Sequence, residues 1–242
     1  MIKIREIEFL PLPFSYTCES FMTPKVFVVS APSGTGKTTL NTRLMREFPE
    51  IEVSISHTTR PIREGEVDGA AYHFVTKQEF QQMIRRGEML EWADVFGNLY
   101  GTSFNEINRI KSNRHHVLLE IDVQGTRSII TQIPDAVTVF ILPPSIEVLW
   151  RRLEARGTDN ITDRWRRLLT AKQEIEVGYL YEHFIMNEDK EKAYNELKRI
   201  IVDGKHSSIT HNQGVQYCKD LIAEFDTSKL LKSLKQKFEK PD

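Results

Sequence analysis

The stretch Ser30-Ala31-Pro32-Ser33-Gly34-Thr35-Gly36-Lys37-Thr38-Thr39 combines glycines, a lysine and hydroxyl side chains in a pattern suited to gripping phosphate. In a tight glycine loop that opens a helix, successive N–H groups converge on an anion, and the helix N-terminus adds to the field. Gly34 and Gly36 let the backbone curl where a Cβ would intrude. Lys37 would reach the β- and γ-phosphates of a nucleotide, and the Thr38 hydroxyl would ligate the Mg²⁺ that travels with them. Ala31 stands where the pattern G-x-x-x-x-G-K-[ST] has its first glycine. That position mainly starts the turn, and a small residue with negative φ serves there.

Two further stretches have the composition of anion sites. Arg60 and Arg63 lie close together with Tyr72 nine residues after Arg63, and two guanidinium forks with a phenol suit a phosphate dianion. Taken alone, the same arginines also read as solvated surface charges. Downstream, WRRLEARGTDNITDRWRRL carries six arginines against three acids. Arg152 and Arg156 are one helical turn apart, and Arg164 and Arg167 repeat the arrangement at a spacing of three. A solvated basic helix explains that composition equally well.

These groups need elements to hold them. Val26-Phe27-Val28-Val29 is an apolar, β-branched and aromatic run, which predicts a buried strand. After the loop, Leu40, Leu44, Met45 and Phe48 recur at helical spacing until Pro49 ends the pattern. Strand, glycine loop and helix in that order is the context phosphate binding requires. Buried strands are also expected over Val117–Ile121, ending at Asp122, and over Val137–Leu142, ending at Pro143-Pro144. Helical patterns cover Ile146 to Leu153 and Asp163 to Val177. Alternating strands and helices predict a parallel α/β sheet flanked by helices on both faces. Residues 54–103 break that rhythm with glycines, charges and aromatics, as an inserted substrate-binding region would. The last forty residues show amphipathic positions Leu221, Ile222, Phe225, Leu231, Leu234 and Phe238, which predict one or two helices and no chemistry.

Composition narrows the function classes. The 242 residues carry 33 basic and 34 acidic side chains, for a net charge of −1, so nothing global favours nucleic acid or a membrane surface. Cys18 and Cys218 are too few for a disulfide framework, and the seven histidines show no zinc-ligand spacing. The opening residues contain acids and prolines without a long apolar run, a poor secretory signal, and Met22 is an alternative start. A cytoplasmic location is the expectation, and the oligomeric state is left open.

The segments SHTTRPIREGEVDG, GNLYGTS, LLEIDVQG, FILPPS and EARGTD, in this order and spacing, resemble guanylate kinases. The resemblance runs from about Val26 to Ile201, and S-A-P-S-G-x-G-K resembles the bacterial form of the phosphate loop. It implies a P-loop NTPase fold with an inserted GMP-binding subdomain and a mobile lid, and transfer of the γ-phosphoryl of MgATP to GMP, with dGMP as a further acceptor. ATP would lie on Ala31, Pro32, Ser33, Gly34, Thr35, Gly36, Lys37, Thr38 and Thr39, with Asn187 near the adenine. Arg60, Arg63, Tyr72 and Tyr100 would hold the GMP phosphate, and Ser56, Glu91, Gly101, Thr102 and Asp122 would surround its guanine. Lys37, Arg60, Arg152, Arg156 and Arg167 would act on the transferring group, with Mg²⁺ at Thr38.

The domain division that follows is 1–23 as an N-terminal extension and 24–202 as the kinase-like domain, with a tail at 203–242. Within the domain the core covers about 24–53, 104–149 and 171–202, the insertion 54–103 and the lid 150–170. Two departures stand out. Leu119-Glu120-Ile121-Asp122 replaces the usual L-D-I-D, and Pro61 directly follows Arg60. The rival readings are a kinase for another nucleoside monophosphate and a non-catalytic protein-binding relative. The intact Lys37, Thr38 and lid arginines argue against the second, and Glu91 with Ser56 and Thr102 argues against the first.

Overall fold

The computed structural model describes residues 23–95, 97–155 and 160–238. The N-terminal extension with Cys18 and Met22, and the lid residue Arg156, lie outside the described residues. The centre of the fold is strand β1 (Val26–Ser30), and helix α1 (Lys37–Glu47) follows it across the glycine loop. Next come β2 (Ile51–Val53), an inserted region, α3 (Phe104–Ser112), β7 (His116–Leu119) and α4 (Val123–Gln132). Strand β8 (Val137–Leu142), helices α5 (Ile146–Ala155) and α6 (Ile161–Glu176), β9 (His183–Met186) and α7 (Lys190–Ile201) complete the α/β core. The main sheet has the order β2-β7-β1-β8-β9 with every neighbouring pair parallel.

The strand period of two divides β1 between the faces of this sheet. Phe27 and Val29 pack with Leu40 and Leu44 of α1 and Leu197 of α7. Val26 and Val28 pack with Ile107 and Ile110 of α3 and Ile129 of α4. Covering both faces forces the polar turns to the strand ends, and ligands of open α/β sheets bind at the carboxyl ends. The strand expected to run to Ile121 stops at Leu119. Asp122 explains the early end, because its Oδ1 accepts from the N–H groups of Gln124 and Gly125 and caps α4. Glu120 and Ile121 thereby become the connection to that helix.

The inserted region forms a second sheet of order β4-β3-β6-β5. Its strands are β3 (His57–Thr58), β4 (His73–Phe74), β5 (Met89–Val95) and β6 (Asn98–Ser103), with α2 (Lys77–Arg85) between β4 and β5. Thr76 and Glu79 close a reciprocal capping box at the start of α2. Strand β5 is tied to the core where Gln132 Nε2 of α4 donates to the Leu90 carbonyl.

The C-terminal segment forms α8 (His211–Thr227) and α9 (Lys229–Phe238). Cys218, Leu221, Phe225, Leu231 and Leu234 are buried in one cluster with Phe140, Leu149, Trp165 and Leu168. These helices therefore complete the wall behind α5 and α6. Phe225→Ala is expected to destabilise the fold by about 3–5 kcal/mol, since a buried ring leaves a void that neighbours fill poorly. Urea unfolding should show a lower midpoint at an unchanged slope. No helix among the described residues is long and apolar enough to cross a membrane.

Candidate functional site

The loop after β1 is anchored before it turns. The Ser30 hydroxyl donates to the Ile121 carbonyl at 2.8 Å, joining the ends of β1 and the β7–α4 connection. The Thr35 N–H donates to the Pro32 carbonyl at 3.0 Å, closing the curl. Gly34 and Gly36 have φ of 93° and 102°, in the left-handed region that disfavours side chains. A Cβ on Gly36 would also lie 2.8 Å from Asn187 Nδ2. Ala31 through Gly34, Gly36 through Thr38, and Glu174 of α6 line a cavity of about 270 Å³.

Lys37 opens α1 inside this cavity. Burial lowers its pKa, while the negative charges of Glu120, Glu174 and Asp122 pull it the other way. Glu120 is held by Asn41, whose Nδ2 donates to Glu120 Oε1 at 2.7 Å. Thr38 is exposed at the cavity. The Thr38 hydroxyl is a hard oxygen donor of the kind Mg²⁺ takes, and the described residues of the cavity lining hold no thiol or imidazole that would favour a softer metal.

Two of the expected lid arginines meet this loop from far along the chain. Arg152 of α5 donates from Nη2 to the Asn187 carbonyl at 2.8 Å and from Nη1 to the Thr35 carbonyl at 3.4 Å. Arg167 of α6 donates to Ser33 Oγ from Nε at 3.1 Å and from Nη2 at 2.7 Å. Arg164 does not repeat this placement. Its Nη1 pairs with Glu154 at 2.7 Å, and its guanidinium lies 5.3 Å from the Trp150 ring centre. Asn187 is buried, and its amide donates to the Thr35 carbonyl at 2.6 Å, so it braces the loop directly. With Arg152, Thr39 and Lys190 it lines the outer side of the loop.

In the inserted sheet, Arg60, Tyr72 and Tyr100 come together. The Tyr72 and Tyr100 rings lie 5.8 Å apart at 70°, and the Arg60 guanidinium is 5.6 Å from the centre of Tyr72. Glu66, which nothing in the spacing singled out, organises the group. Its Oε1 accepts from Arg60 Nη2 at 2.7 Å, and its Oε2 accepts from the Arg63 N–H at 2.8 Å. Hydrogen bonding to Glu66 raises the Arg60 pKa above the ordinary guanidinium value. Arg63 itself is exposed. Ser56 lies one residue before β3, and its carbonyl accepts from the His73 N–H at 2.9 Å.

Glu91 and Thr102 face each other across the β5–β6 ladder. Thr102 is 1% exposed, and its hydroxyl is enclosed without a hydrogen bond of normal geometry. A Cβ on Gly101 would lie 2.4 Å from the Glu91 carbonyl oxygen, so only glycine permits this approach of the strands. A Cβ on Gly125 would lie 3.2 Å from Glu91 Oε2, which places that carboxylate beside the start of α4 and the exposed Asp122. Burial pushes the Glu91 carboxyl above its ordinary pKa, and the Asp122 charge adds to the shift. A desolvated carboxylate next to an unsatisfied hydroxyl is arranged for a ligand that presents adjacent N–H donors and an acceptor.

The histidines are less scattered than their sequence positions suggest. Glu182, His183 and His206 cluster within 4.8 Å. The Ser207 N–H donates to His183 Nδ1 at 3.3 Å, which leaves the ring proton on Nε2, 3.6 Å from Glu182 Oε1. Burial lowers the His183 pKa, and the trio holds one buried imidazole between the exposed Glu182 and His206.

A family model described as guanylate kinase matches residues 23–204. The chain is 49% identical over 176 residues to a guanylate kinase of Neisseria gonorrhoeae, covering 73% of this chain and 86% of that protein. To a guanylate kinase of Symbiobacterium thermophilum it is 44% identical over 184 residues, 76% of this chain and 87% of the other. The crystal structure of guanylate kinase from Anaplasma phagocytophilum superposes with a TM-score of 0.60 at 30% identity, covering 87% of this chain and 97% of that one.

Proposed function

The chain belongs to the guanylate kinase family and transfers the γ-phosphoryl group of ATP to GMP, giving ADP and GDP, and from that premise we propose how its residues divide the work. On the donor side the loop N–H groups from Ser33 to Thr38 cradle the β- and γ-phosphates, and Thr39 closes the series. Lys37 supplies positive charge where the transferring group sits. Thr38 holds Mg²⁺, which neutralises charge on the phosphates when bound. Asn187 borders the adenine side. Arg152 and Arg167, with Arg156, neutralise the charge that spreads over the equatorial oxygens.

On the acceptor side Arg60, Arg63, Tyr72 and Tyr100 hold the GMP phosphate. Arg63 swings in from its exposed position, and Glu66 keeps Arg60 preset. Glu91 accepts from guanine N1–H and N2–H, Thr102 and Ser56 donate to O6, and Gly101 and Asp122 complete the enclosure. These contacts all go to base and phosphate, so dGMP is proposed as an acceptor too. A phosphate monoester is already a nucleophile near neutral pH. Catalysis therefore rests on alignment and charge stabilisation without a strong general base. Movement of the insertion (54–103) and lid (150–170) would join the two halves and exclude water that would otherwise take the phosphoryl group.

The observation that carries this division is the pair Arg152 and Arg167 reaching Thr35 and Ser33 of the phosphate loop from 117 and 134 residues away. ADP formation with MgATP and each nucleoside monophosphate in turn is the direct test. GMP should turn over, with kcat/KM for AMP, CMP and UMP lower by about 10³-fold or more, because a mismatched base leaves buried polar groups unpaired. A folded protein that makes no ADP in response to GMP would refute it.

A further inference from the structure

We propose that Glu106 is a positioning residue at the pivot of the inserted sheet, holding together the two stretches of chain that join that sheet to the core. The inference rests on the acceptor-site reading above, because it concerns how the GMP half is aimed at the phosphate loop. The outgoing stretch is 54–56. The Ser54 N–H donates to the Leu118 carbonyl of β7, in the main sheet, at 3.0 Å. The Ser56 carbonyl accepts from the His73 N–H, in the inserted sheet, at 2.9 Å. Ile55 is therefore the residue at which the chain changes sheets. The return is at Ser103 and Phe104, where β6 ends and α3 begins.

Glu106, at the third position of α3, touches both stretches. Its Oε1 accepts from the Ile55 N–H at 3.1 Å. Its own N–H donates to the Ser103 hydroxyl, which caps the helix, at 3.2 Å. From the inserted sheet, His73 Nε2 of β4 lies 3.6 Å from Glu106 Oε2. One residue further on, Ile107 packs with Val26 and Val28 of β1, so the helix that carries Glu106 is fixed to the core.

Glu106 is 4% exposed, and a buried carboxylate needs a compensating charge. Arg109 supplies it, donating from Nε to Oε2 and from Nη2 to Oε1, both at 2.9 Å. The same Nη2 reaches Glu52 of β2 at 2.5 Å, which ties the group to the main sheet. Burial pushes the Glu106 pKa up, but hydrogen bonds from Arg109 and the Ile55 N–H outweigh it and hold the carboxyl below its ordinary value. An ion pair along the helix would account for Arg109 and would have no need of Ile55. The Ile55 bond lies one residue before Ser56, the proposed partner of guanine O6. Without that bond the acceptor half can swing out of line with the donor, while the phosphate loop, carried by β1 and α1, keeps its own anchors.

The test compares Glu106→Ala with Glu106→Gln in the full chain. Alanine removes the acceptor for the Ile55 N–H, whereas the glutamine amide oxygen can still take it and only the negative charge is lost. Glu106→Ala should lower kcat/KM for GMP about tenfold, because misaligned reactants lose rate steeply, and should leave the Kd of MgATP without GMP within about twofold of the wild type. Glu106→Gln should keep kcat/KM for GMP within about threefold of the wild type while unfolding at a lower temperature, having lost its ion pair. A purely stabilising ion pair predicts lower unfolding temperatures for both variants and wild-type kcat/KM below them. That result, an equal fall of kcat/KM in the two variants, or a matching loss of ATP affinity would overturn the proposal. If Glu106→Ala does not fold, Glu106→Asp, which keeps the charge but is one methylene short of Ile55, should show the same loss of about tenfold, and wild-type kinetics there would overturn the proposal. GMP turnover by the wild type leaves the acceptor reading standing whatever the variants do, whereas its absence overturns that reading together with this one.

Discussion

Lys37→Met is expected to lower kcat by about 10³-fold while the protein stays folded, a loss of about 4 kcal/mol of transition-state stabilisation. Methionine keeps the length and packing of the lysine stem, so the substitution isolates the charge. In the wild type, Lys37 balances Glu120, Glu174 and Asp122 around the phosphate cavity. Without it, three acids face the triphosphate, and negative charge developing on the transferring group meets a cavity of the same sign. In the proposed role Lys37 interacts most strongly with the charge that develops in transfer, so kcat should fall more than the affinity for ATP. Steady-state kinetics at saturating GMP, with thermal unfolding as a control, separates the two. A kcat within tenfold of the wild type would remove Lys37 from the transition state and leave the lid arginines as the main source of charge.

Glu91→Gln is expected to reduce kcat/KM for GMP by about 10²-fold and to narrow the preference for GMP over AMP by a similar factor. The wild-type carboxylate can accept from both guanine N–H donors. The amide keeps one acceptor and turns an N–H₂ toward the other donor, so one buried hydrogen bond becomes a clash of donors. The pH dependence adds a second signature. Burial and Asp122 hold the Glu91 pKa above the ordinary glutamate value, and the reading of guanine needs the ionised form. In the wild type, kcat/KM for GMP should therefore fall as pH drops through that raised pKa, and Glu91→Gln should lack this limb. Unchanged discrimination in the variant would assign the reading of the base to other residues.

The local grammar of the site is legible in the chain. Strand β1, the glycine loop and α1 can be read from contiguous residues, because hydrophobic period and left-handed glycines are properties of neighbours. The acceptor residues are similarly grouped, and the cross-strand pair of Glu91 and Thr102 lies within one hairpin. The strand end at Leu119 was harder to read. An apolar run does not reveal that Asp122 spends its side chain on the N–H groups of Gln124 and Gly125.

Other contacts had no signal in the spacing. Glu66 is one of several acids after Arg60, and only the turn at the start of the insertion makes it the partner of that guanidinium. Arg164 and Arg167 look alike in sequence, yet one faces Glu154 and Trp150 while the other faces Ser33. Three residues on a helix turn a side chain by about 60° from its predecessor, enough to separate a cavity wall from the surface. Helices α8 and α9 read as a polar amphipathic tail, but their apolar stripes are part of the wall behind α5 and α6.

By itself, then, the sequence determined which segments have the residue types and spacing suited to phosphate and to a purine, because those depend on neighbours within single elements. Only the tertiary structure decided which charges share a cavity. It brought Arg167 of α6 onto Ser33, Arg152 of α5 onto Thr35, and Glu174 of α6 into the wall of the phosphate cavity. The physical reason is that hydrogen bonding and periodicity act between near neighbours, while the balance of charge around a phosphate is set by the packing of elements more than a hundred residues apart.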